Sequence, residues 1–454
     1  MIKMSSEPVE IVIHEIENDV NSNTLHFPPQ NSRLVDDTSW VIQPSTLFAN
    51  RTSNKLHRNY SNNAHSFHSA IGPIITIGQY FGIFAMDGVK NPTPEMMTFK
   101  MKSWRTIYSC VVSLNILILL YCIVFYLIKA SINQNKEVSL SSIGFGMFIG
   151  FSFLINVTFT CSSQMWINLQ KKWNKVEKSL DMFYQQSPQL RIKFKIIFAV
   201  IEFFELGNHF LGVILRGRSA NDFIDYMKFY GKLLAEAFLG SNVLLLDSYW
   251  LGILGIYVLI IPIIAAFIKS FTNVIIIFLA IGLTEMYKAV NEHVSDLINS
   301  NCQSIDWSRL KLHYGMLSDL VRETDRVISP LIVLSIGSNI YYICISLLDG
   351  LIPQHDGIVN AIYFFGEFVL LVIKTIAVIL FAARINDESK KPILFLSKCP
   401  VQGPLFEPQW LQLQLLINEV ALTAMNFFSI TRKFLITVTT TIISYEVLLL
   451  QFHK

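Results

Sequence analysis

Seven long apolar stretches limit this chain to the class of membrane proteins. Each is long enough for a helix to cross about 30 Å of hydrocarbon. The whole chain is 52% hydrophobic and only 15% charged, which is too apolar for a soluble protein. The sequence therefore predicts an all-α protein with seven transmembrane helices, at 107–128, 141–165, 196–215, 251–283, 330–348, 358–381 and 434–452.

The fourth stretch, 251–283, is long enough to be two spans. Its only polar break runs from Lys269 to Asn273, and Pro262 would do no more than kink one helix. We therefore expect a single long helix that continues beyond the bilayer. Pro330 is expected in the first turn of the fifth span, where a missing N–H costs nothing.

The basic residues near the spans lie mainly on one side of the membrane. The side that carries the N-terminus has 22 Lys and Arg residues, and the opposite side has seven. Because cytoplasmic loops carry the excess of Lys and Arg, we expect the N-terminus inside and the C-terminus outside. This orientation is the reverse of that of a G-protein-coupled receptor.

The remaining segments differ in character. The tail is polar with no apolar signal sequence, so we expect it to be disordered and cytoplasmic and its two glycosylation sequons, at Asn50 and Asn59, to be coincidental. The amphipathic stretch that follows the tail is expected to lie on the membrane surface or to dock on other helices.

The predicted cytoplasmic segments between the spans have helical patterns, which predict an intracellular platform or, alternatively, amphipathic surface helices. The predicted divisions are a tail 1–66, a membrane-proximal segment 67–106, a six-helix ligand-binding bundle 107–383 with a helical extension 284–329, an anchor segment 384–433 and the last helix 434–454.

No signature of catalytic chemistry is found in the sequence. None of the six cysteines falls in a predicted extracellular loop, so structural disulfides are not expected. No Cys/His spacing suggests a metal site, and neither a glycine-rich phosphate loop nor a Ser/His/Asp arrangement is present. We therefore expect no enzymatic activity, no metal, no cofactor and no nucleic-acid partner.

The last apolar helix carries an unusual polar stripe. At 3.6 residues per turn, the stripe residues fall within one narrow arc, and Glu446 points the opposite way. The stripe could be a packing surface, because Ser and Thr are common between membrane helices. Alternatively it is a pore wall in which hydroxyls replace ion hydration and a ring of Leu closes the path by dewetting. A pore requires several copies around an axis. The stripe consists of Thr437, Thr441, Ser444, Leu448 and Gln451.

The same region carries a family resemblance. Ser444-Tyr445 followed by Gln451-Phe452 resembles the Thr-Tyr…Gln-Phe signature at the end of insect gustatory receptors, and Ser444 keeps the hydroxyl of the usual Thr. Residues 422–435 (LTAMNFFSITRKFL) are similar to the family's lead-in to its last helix, and residues 67–89 are similar to the sweet-taste, sugar-receptor branch. At 284–287 the chain has Thr-Glu-Met-Tyr where that branch tends to show an Arg-Phe pair.

The resemblance implies a ligand-gated, non-selective cation channel that opens on binding sugars. Such a receptor is expected in the plasma membrane of chemosensory neurons, as a homotetramer whose last helices line a central pore. The sequence leaves open whether a co-receptor subunit is also needed. The expected partners are a sugar, membrane lipid and further copies of the chain. The predicted pore and gate residues are Thr437, Thr441, Ser444, Leu448, Gln451 and Phe452.

Ionisable and aromatic residues inside the spans are the candidates for ligand binding. Charges in hydrocarbon are costly, and those here include Lys269 and Lys374 as well as four acidic or imidazole groups; each binds ligand or pairs with another charge to fix the bundle. The rings form an interfacial belt or stack on the C–H face of a sugar whose hydroxyls bind carboxylates. The predicted ligand-binding set is Glu202, Glu205, His209, Tyr249, Trp250, Tyr257, Tyr341, Tyr342, Asp349, Tyr363 and Glu367.

Two other functions are compatible with many membrane helices. A metabotropic heptahelical receptor would need the opposite orientation, which the distribution of basic residues opposes. A transporter for a small polar solute usually shows paired repeats and broken helices, and neither is found in the sequence.

Overall fold

The computed structural model describes the membrane-embedded part of the chain and the segments attached to it. Residues 1–65 of the predicted disordered tail, with both sequons, lie outside the described residues. The described ranges are 66–132, 140–180, 189–216, 231–232, 234–235, 248–300, 305–351, 358–397 and 407–452.

Every predicted span coincides with a helix. The helices are α1 (Phe67–Tyr80), α2 (Trp104–Ile132), α3 (Leu140–Leu180), α4 (Gln189–Arg216), α5 (Ser248–Ser300), α6 (Trp307–Leu351), α7 (Ile358–Leu396), α8 (Glu407–Ile417) and α9 (Arg432–Phe452). Five of them, α2, α3, α5, α6 and α7, are long and apolar enough to cross a membrane, judged on the described residues alone. The other two predicted spans form α4 and α9, which are helical but are not among these five.

Helix α5 is the centre of the bundle. It is one continuous helix of 53 residues, about 80 Å long, with Pro262 inside it. It packs against α2, α3, α4, α6 and α7. Every residue from Ala265 to Ala280 is buried, which fits a helix that is apolar on all sides. The fourth apolar stretch is therefore a single helix that extends well beyond the thickness of a bilayer, as expected.

Helix α6 differs from expectation at its proline. Pro330 lies inside α6 rather than in its first turn, so the prediction that it opens a helix is wrong. The helix begins 23 residues earlier, at Trp307. A proline inside a helix removes one backbone hydrogen bond. Because residues on both sides of Pro330, such as Ile328 and Leu331, are buried in the bundle, packing holds the helix together across it.

Helix α1 docks on the bundle. The Phe67 ring stacks on Trp173 of α3 at 4.0 Å and meets Phe194 of α4 edge-on at 5.9 Å. The Phe67 N–H donates to Glu177 Oε1 at 3.0 Å. Gly282 of α5 permits this contact, since a Cβ there would lie 2.7 Å from Trp173 and 2.8 Å from Phe67. Of the two alternatives for this segment, the structure shows docking on other helices.

The long helices α5, α6 and α7 continue together into what we call the inner end of the bundle, formed by residues 284–300, 307–329 and 384–397. Asn291 joins all three there: its side-chain amide donates to the Glu388 carbonyl at 2.9 Å and accepts from the Tyr314 hydroxyl at 2.8 Å. All three residues are buried. Buried polar groups with partners of this kind favour one arrangement of the helices.

Candidate functional site

Three charged side chains meet inside the bundle. Lys374 of α7 forms an ion pair with Glu205 of α4. Lys269 of α5, only 8% exposed, lies with its Nζ 3.8 Å from the centre of the Tyr342 ring of α6, in a cation–π contact. Lys374 thus pairs with Glu205 of another helix rather than with Glu367, which lies on the same helix as Lys374 and is exposed. The cluster links four helices.

Next to this cluster, several polar atoms are buried without a hydrogen-bond partner among the described residues. They include both amide atoms of Asn339 and the amide nitrogen of Asn273, whereas the buried Glu202 carboxylate has the Ser270 hydroxyl of α5 as its polar neighbour. The Ser335 hydroxyl, one turn before Asn339, donates to Asn273 Oδ1 of α5. Leaving such groups unpaired in a bilayer is costly, so they are candidates to contact a polar ligand or water.

Asn273, Ser335 and Asn339 were not among the sequence-predicted site residues. The signal that could have found them is the spacing of amides and hydroxyls within apolar runs. Asn273 follows Lys269 by four residues, and Ser335, Asn339 and Tyr342 recur at four and three, so each set occupies one helix face. Polar residues on one face of an apolar helix indicate a polar seam between helices.

The predicted aromatic set is divided between several contacts. The Tyr342 hydroxyl donates to the Gly144 carbonyl of α3 at 3.1 Å, and the Tyr341 ring lies 5.2 Å from that of Tyr342. The Tyr257 hydroxyl instead donates to Asn115 Oδ1 of α2 at 2.9 Å. Trp250 is 56% exposed. The structure therefore places Tyr342 beside the charge cluster, while Tyr257 makes a different helix contact.

Two further candidates lie on α4 and α7. His209 is close enough to Glu205 to interact with its charge. The Tyr363 hydroxyl approaches Gly212 so closely that a Cβ there would lie 2.5 Å from it, so any larger residue would displace the Tyr363 side chain at this crossing of α4 and α7. The side chains of Tyr249 and Asp349 lie outside the described residues.

The last helix, α9, is exposed along most of its length in the single chain. Its five stripe residues, Thr437 to Gln451, are all exposed. The Thr437 and Thr441 hydroxyls donate to the Lys433 and Thr437 carbonyls at 3.1 and 2.9 Å, so their lone pairs remain available to water or ions. The side chains of Glu446 and Phe452 lie outside the described residues.

The first turns of α9 are well anchored. Arg432 Nε lies 2.7 Å from Asp387 Oδ2 of α7, and the Phe434 ring stacks on Phe428 at 4.3 Å. Beyond Leu435, no described side chain of α9 is buried. An apolar helix held at its base and exposed above it needs lipid, water or other chains around it.

Comparison with known proteins decides the family. The family model described as trehalose receptor matches residues 49–454. The chain belongs to this family. Two Drosophila melanogaster relatives are each 26% identical: gustatory receptor 5a for trehalose, over 86% of this chain and 86% of the relative, and gustatory receptor for sugar taste 64f, over 86% and 81%. The resemblance to insect gustatory receptors of the sugar branch is thereby confirmed.

Solved structures support the fold. The insect olfactory receptor OR5 from Machilis hrabei matches with a TM-score of 0.59 at 13% identity, covering 84% of this chain and 97% of the receptor. The structure of the same receptor in complex with eugenol matches with a TM-score of 0.54 at 14% identity, covering 85% and 97%. The chain is thus a multi-pass membrane receptor with the helical fold of this olfactory receptor.

Proposed function

We propose that this chain is the subunit of a sugar-gated, non-selective cation channel that serves sweet taste in the plasma membrane of chemosensory neurons. The curated relatives are named as receptors for trehalose and for sugar taste, which supports a sugar as the ligand. Family membership over residues 49–454 supports a receptor rather than an enzyme.

The observation that carries the channel proposal is the exposure of α9. Apolar and hydroxyl side chains alternate around a helix that no other part of the described chain covers beyond its base. If four copies surround one axis, the Thr437–Gln451 stripe of each faces the axis and the remaining apolar faces meet neighbours or lipid. The Leu448 ring is then the constriction, closed by dewetting.

Assembly into a tetramer is also supported by exposed apolar side chains close to the inner end. Trp410, Leu416 and Ile417 of α8 and Phe427 in the following turn are each more than half exposed, and Phe427 reaches 78%. Such a patch is typical of a protein–protein contact. We infer that these residues contact the neighbouring subunit on the cytoplasmic side, with the N-terminus inside and the C-terminus outside.

Sugar recognition is assigned to the outer half of each subunit. Rings such as Trp250 and Tyr342 stack on the sugar, and carboxylates such as Glu205 and Glu367 accept its hydroxyl hydrogens. Gating requires that the sugar bind the open arrangement more tightly than the closed one. Glu205 already has Lys374 as a partner, so a sugar hydroxyl would compete for or add to that pair.

The test is electrical. Cells expressing this chain alone are studied in outside-out patches without nucleotide, so that no G protein can act, and are exposed to a panel that includes trehalose, sucrose and glucose. Mannitol at equal osmolarity is the control. A cation current with at least one sugar supports the proposal. A response that needs GTP in the pipette would indicate a metabotropic receptor, and sugar uptake without current would indicate a transporter.

A further inference from the structure

The turn between α8 and α9 is a defined structure rather than a loose connection. Within the Leu422–Ile430 turn, the Ile430 N–H donates to the Leu422 carbonyl at 2.8 Å and the Ala424 N–H to the Phe428 carbonyl at 3.0 Å. Met425 and Asn426 have φ values of 51° and 62°, in the left-handed region that costs energy for a residue such as Met. Such a turn persists only when its surroundings hold it.

One side chain from another helix holds this turn. Asp325 of α6 lies 98 residues before Thr423, and its carboxylate accepts two hydrogen bonds from that residue. The Thr423 N–H lies 2.5 Å from Oδ1 and the Thr423 hydroxyl 2.7 Å from Oδ2. Hydrogen bonds to an ionised acceptor are stronger than neutral ones, and two from one residue also define direction.

Asp325 differs from its acidic neighbours on α6. Asp319 and Glu323 form surface ion pairs with Arg322 and Arg326, three residues further along the helix. Within the part of the chain that the structure describes, no Lys or Arg lies within ion-pair distance of Asp325. Its hydrogen-bonding capacity is directed at Thr423.

The Leu422–Ile430 turn is also fixed to the first residues of α9. Phe428 stacks on Phe434 with the ring planes 10° apart, and the Thr431 hydroxyl accepts from the Phe434 N–H at 3.3 Å. Helix α9 is about 30 Å long, so a tilt of about 10° at its base would move its far end by roughly 5 Å. The far end carries Leu448 and Gln451. A small change in the angle of the turn therefore produces a large displacement of the predicted gate residues.

We propose that Asp325 is a positioning residue for gating: through Thr423 it holds the Leu422–Ile430 turn, and with it α9, at the resting angle relative to α6. This inference rests on the proposed function, in which α9 lines the pore. Releasing the turn widens the range of angles that α9 can adopt and so increases the fraction of channels that open without sugar. The two hydrogen bonds thus set the resting open fraction without touching the ligand.

The experiment measures the ratio of resting current to maximal sugar-evoked current at matched surface expression. Asp325→Ala removes both hydrogen bonds and should raise the ratio at least fivefold. Thr423→Val, a side chain of the same shape, removes the hydroxyl bond to Asp325 and also the acceptor of the Asn426 N–H at 3.2 Å within the turn, and should raise it about twofold to threefold. Thr423→Ser keeps both bonds and should match the parent. Glu323→Ala, which breaks only a surface ion pair on the same helix, is the control and should also match the parent.

The double variant Asp325→Ala/Thr423→Val gives the decisive readout. If the two residues act through one contact, the double variant raises the ratio by clearly less than the product of the two single effects, with any excess over Asp325→Ala due to the lost Asn426 contact. Additive effects, or an unchanged or lowered ratio for Thr423→Val with normal sugar-evoked current, would overturn the positioning role and leave the channel proposal intact. If the parent chain passes no sugar-evoked current in any cell, the proposed function itself fails, and this inference fails with it.

Discussion

Helices α5 and α9 are both apolar, yet they differ in how far the rest of the subunit buries their side chains. From Ala265 to Ala280 every side chain of α5 is buried by other helices of the same subunit. In α9, no described side chain beyond Leu435 is buried. The difference is not one of hydrophobicity alone, because Ile436, Ile443 and Leu448 are as apolar as the residues of α5.

What separates the two helices is what lies around them. The partners of α5 are inside the subunit, so its sequence needs only to be apolar and to fit, with a few polar groups such as Lys269 and Asn273 paired across helix contacts. No described side chain of α9 beyond Leu435 is buried within the subunit, and we propose that its hydroxyl stripe faces water. We infer that α5 supplies stability and that α9 supplies the ion path.

The largest expected effect breaks the packing of α5. Phe278 is fully buried and stacks on Phe194 at 4.2 Å, so Phe278→Ala should lower the free energy of unfolding by about 3–5 kcal/mol. Ile443→Ala in α9, where the side chain is 59% exposed, is the matched control and should change it by less than about 0.5 kcal/mol. Fluorescence-detected thermal unfolding in detergent measures both. Equal losses would mean that α9 is packed within the subunit after all.

A smaller effect is expected from the charge cluster beside α5. Lys374→Met leaves Glu205 without its cation, which should cost about 2–3 kcal/mol, below the usual range for a buried pair because the Glu205 side chain keeps 28% of its exposure. The exchange Glu205→Lys/Lys374→Glu restores an ion pair and should recover most of the loss. If Lys374→Met is as stable as the parent, the pair is not structural, and Glu205 is then available for sugar binding alone.

The smallest effect separates ligand binding from gating. Replacing Trp250, Tyr342 or Glu367 by Ala should weaken the sugar response by about 1–3 kcal/mol, roughly five- to 150-fold in half-maximal concentration, with the resting current unchanged.

Leu448→Ser should raise the resting current, since a polar ring cannot dewet the constriction. Dose–response curves at matched surface expression measure both. If Leu448→Ser changed the half-maximal sugar concentration but not the resting current, Leu448 would not form the gate.

The sequence was sufficient to predict the helices, but it was insufficient to predict which side chains make contacts between them. A long apolar run with one short polar break predicted α5 as one helix, and helical periodicity placed the stripe residues on one face of α9, because both depend only on residues close together in the sequence. The ion pair of Lys374 with Glu205 joins residues 169 positions apart. The hydrogen bonds from Thr423 to Asp325 depend on how α6 meets a turn 98 residues later. Which of several charges becomes the partner is decided by helix placement, which local patterns do not encode.

Cysteine accessibility tests most directly whether one face of α9 is bordered by water. Single cysteines are placed at Thr437, Thr441, Ser444, Leu448 and Gln451, at Ile443 as the off-stripe control, and at Phe278 as the buried control in α5. A membrane-impermeant thiol reagent is applied during sugar stimulation while current is recorded.

If one face of α9 borders water, the reaction should block current at the five stripe positions, be much slower at Ile443 and not occur at Phe278. Reactivity should therefore follow the period of a helix along α9 and be absent from the buried part of α5. Reaction at Ile443 as fast as at Thr441, or protection of the whole of α9 during stimulation, would contradict the claim and place the ion path elsewhere.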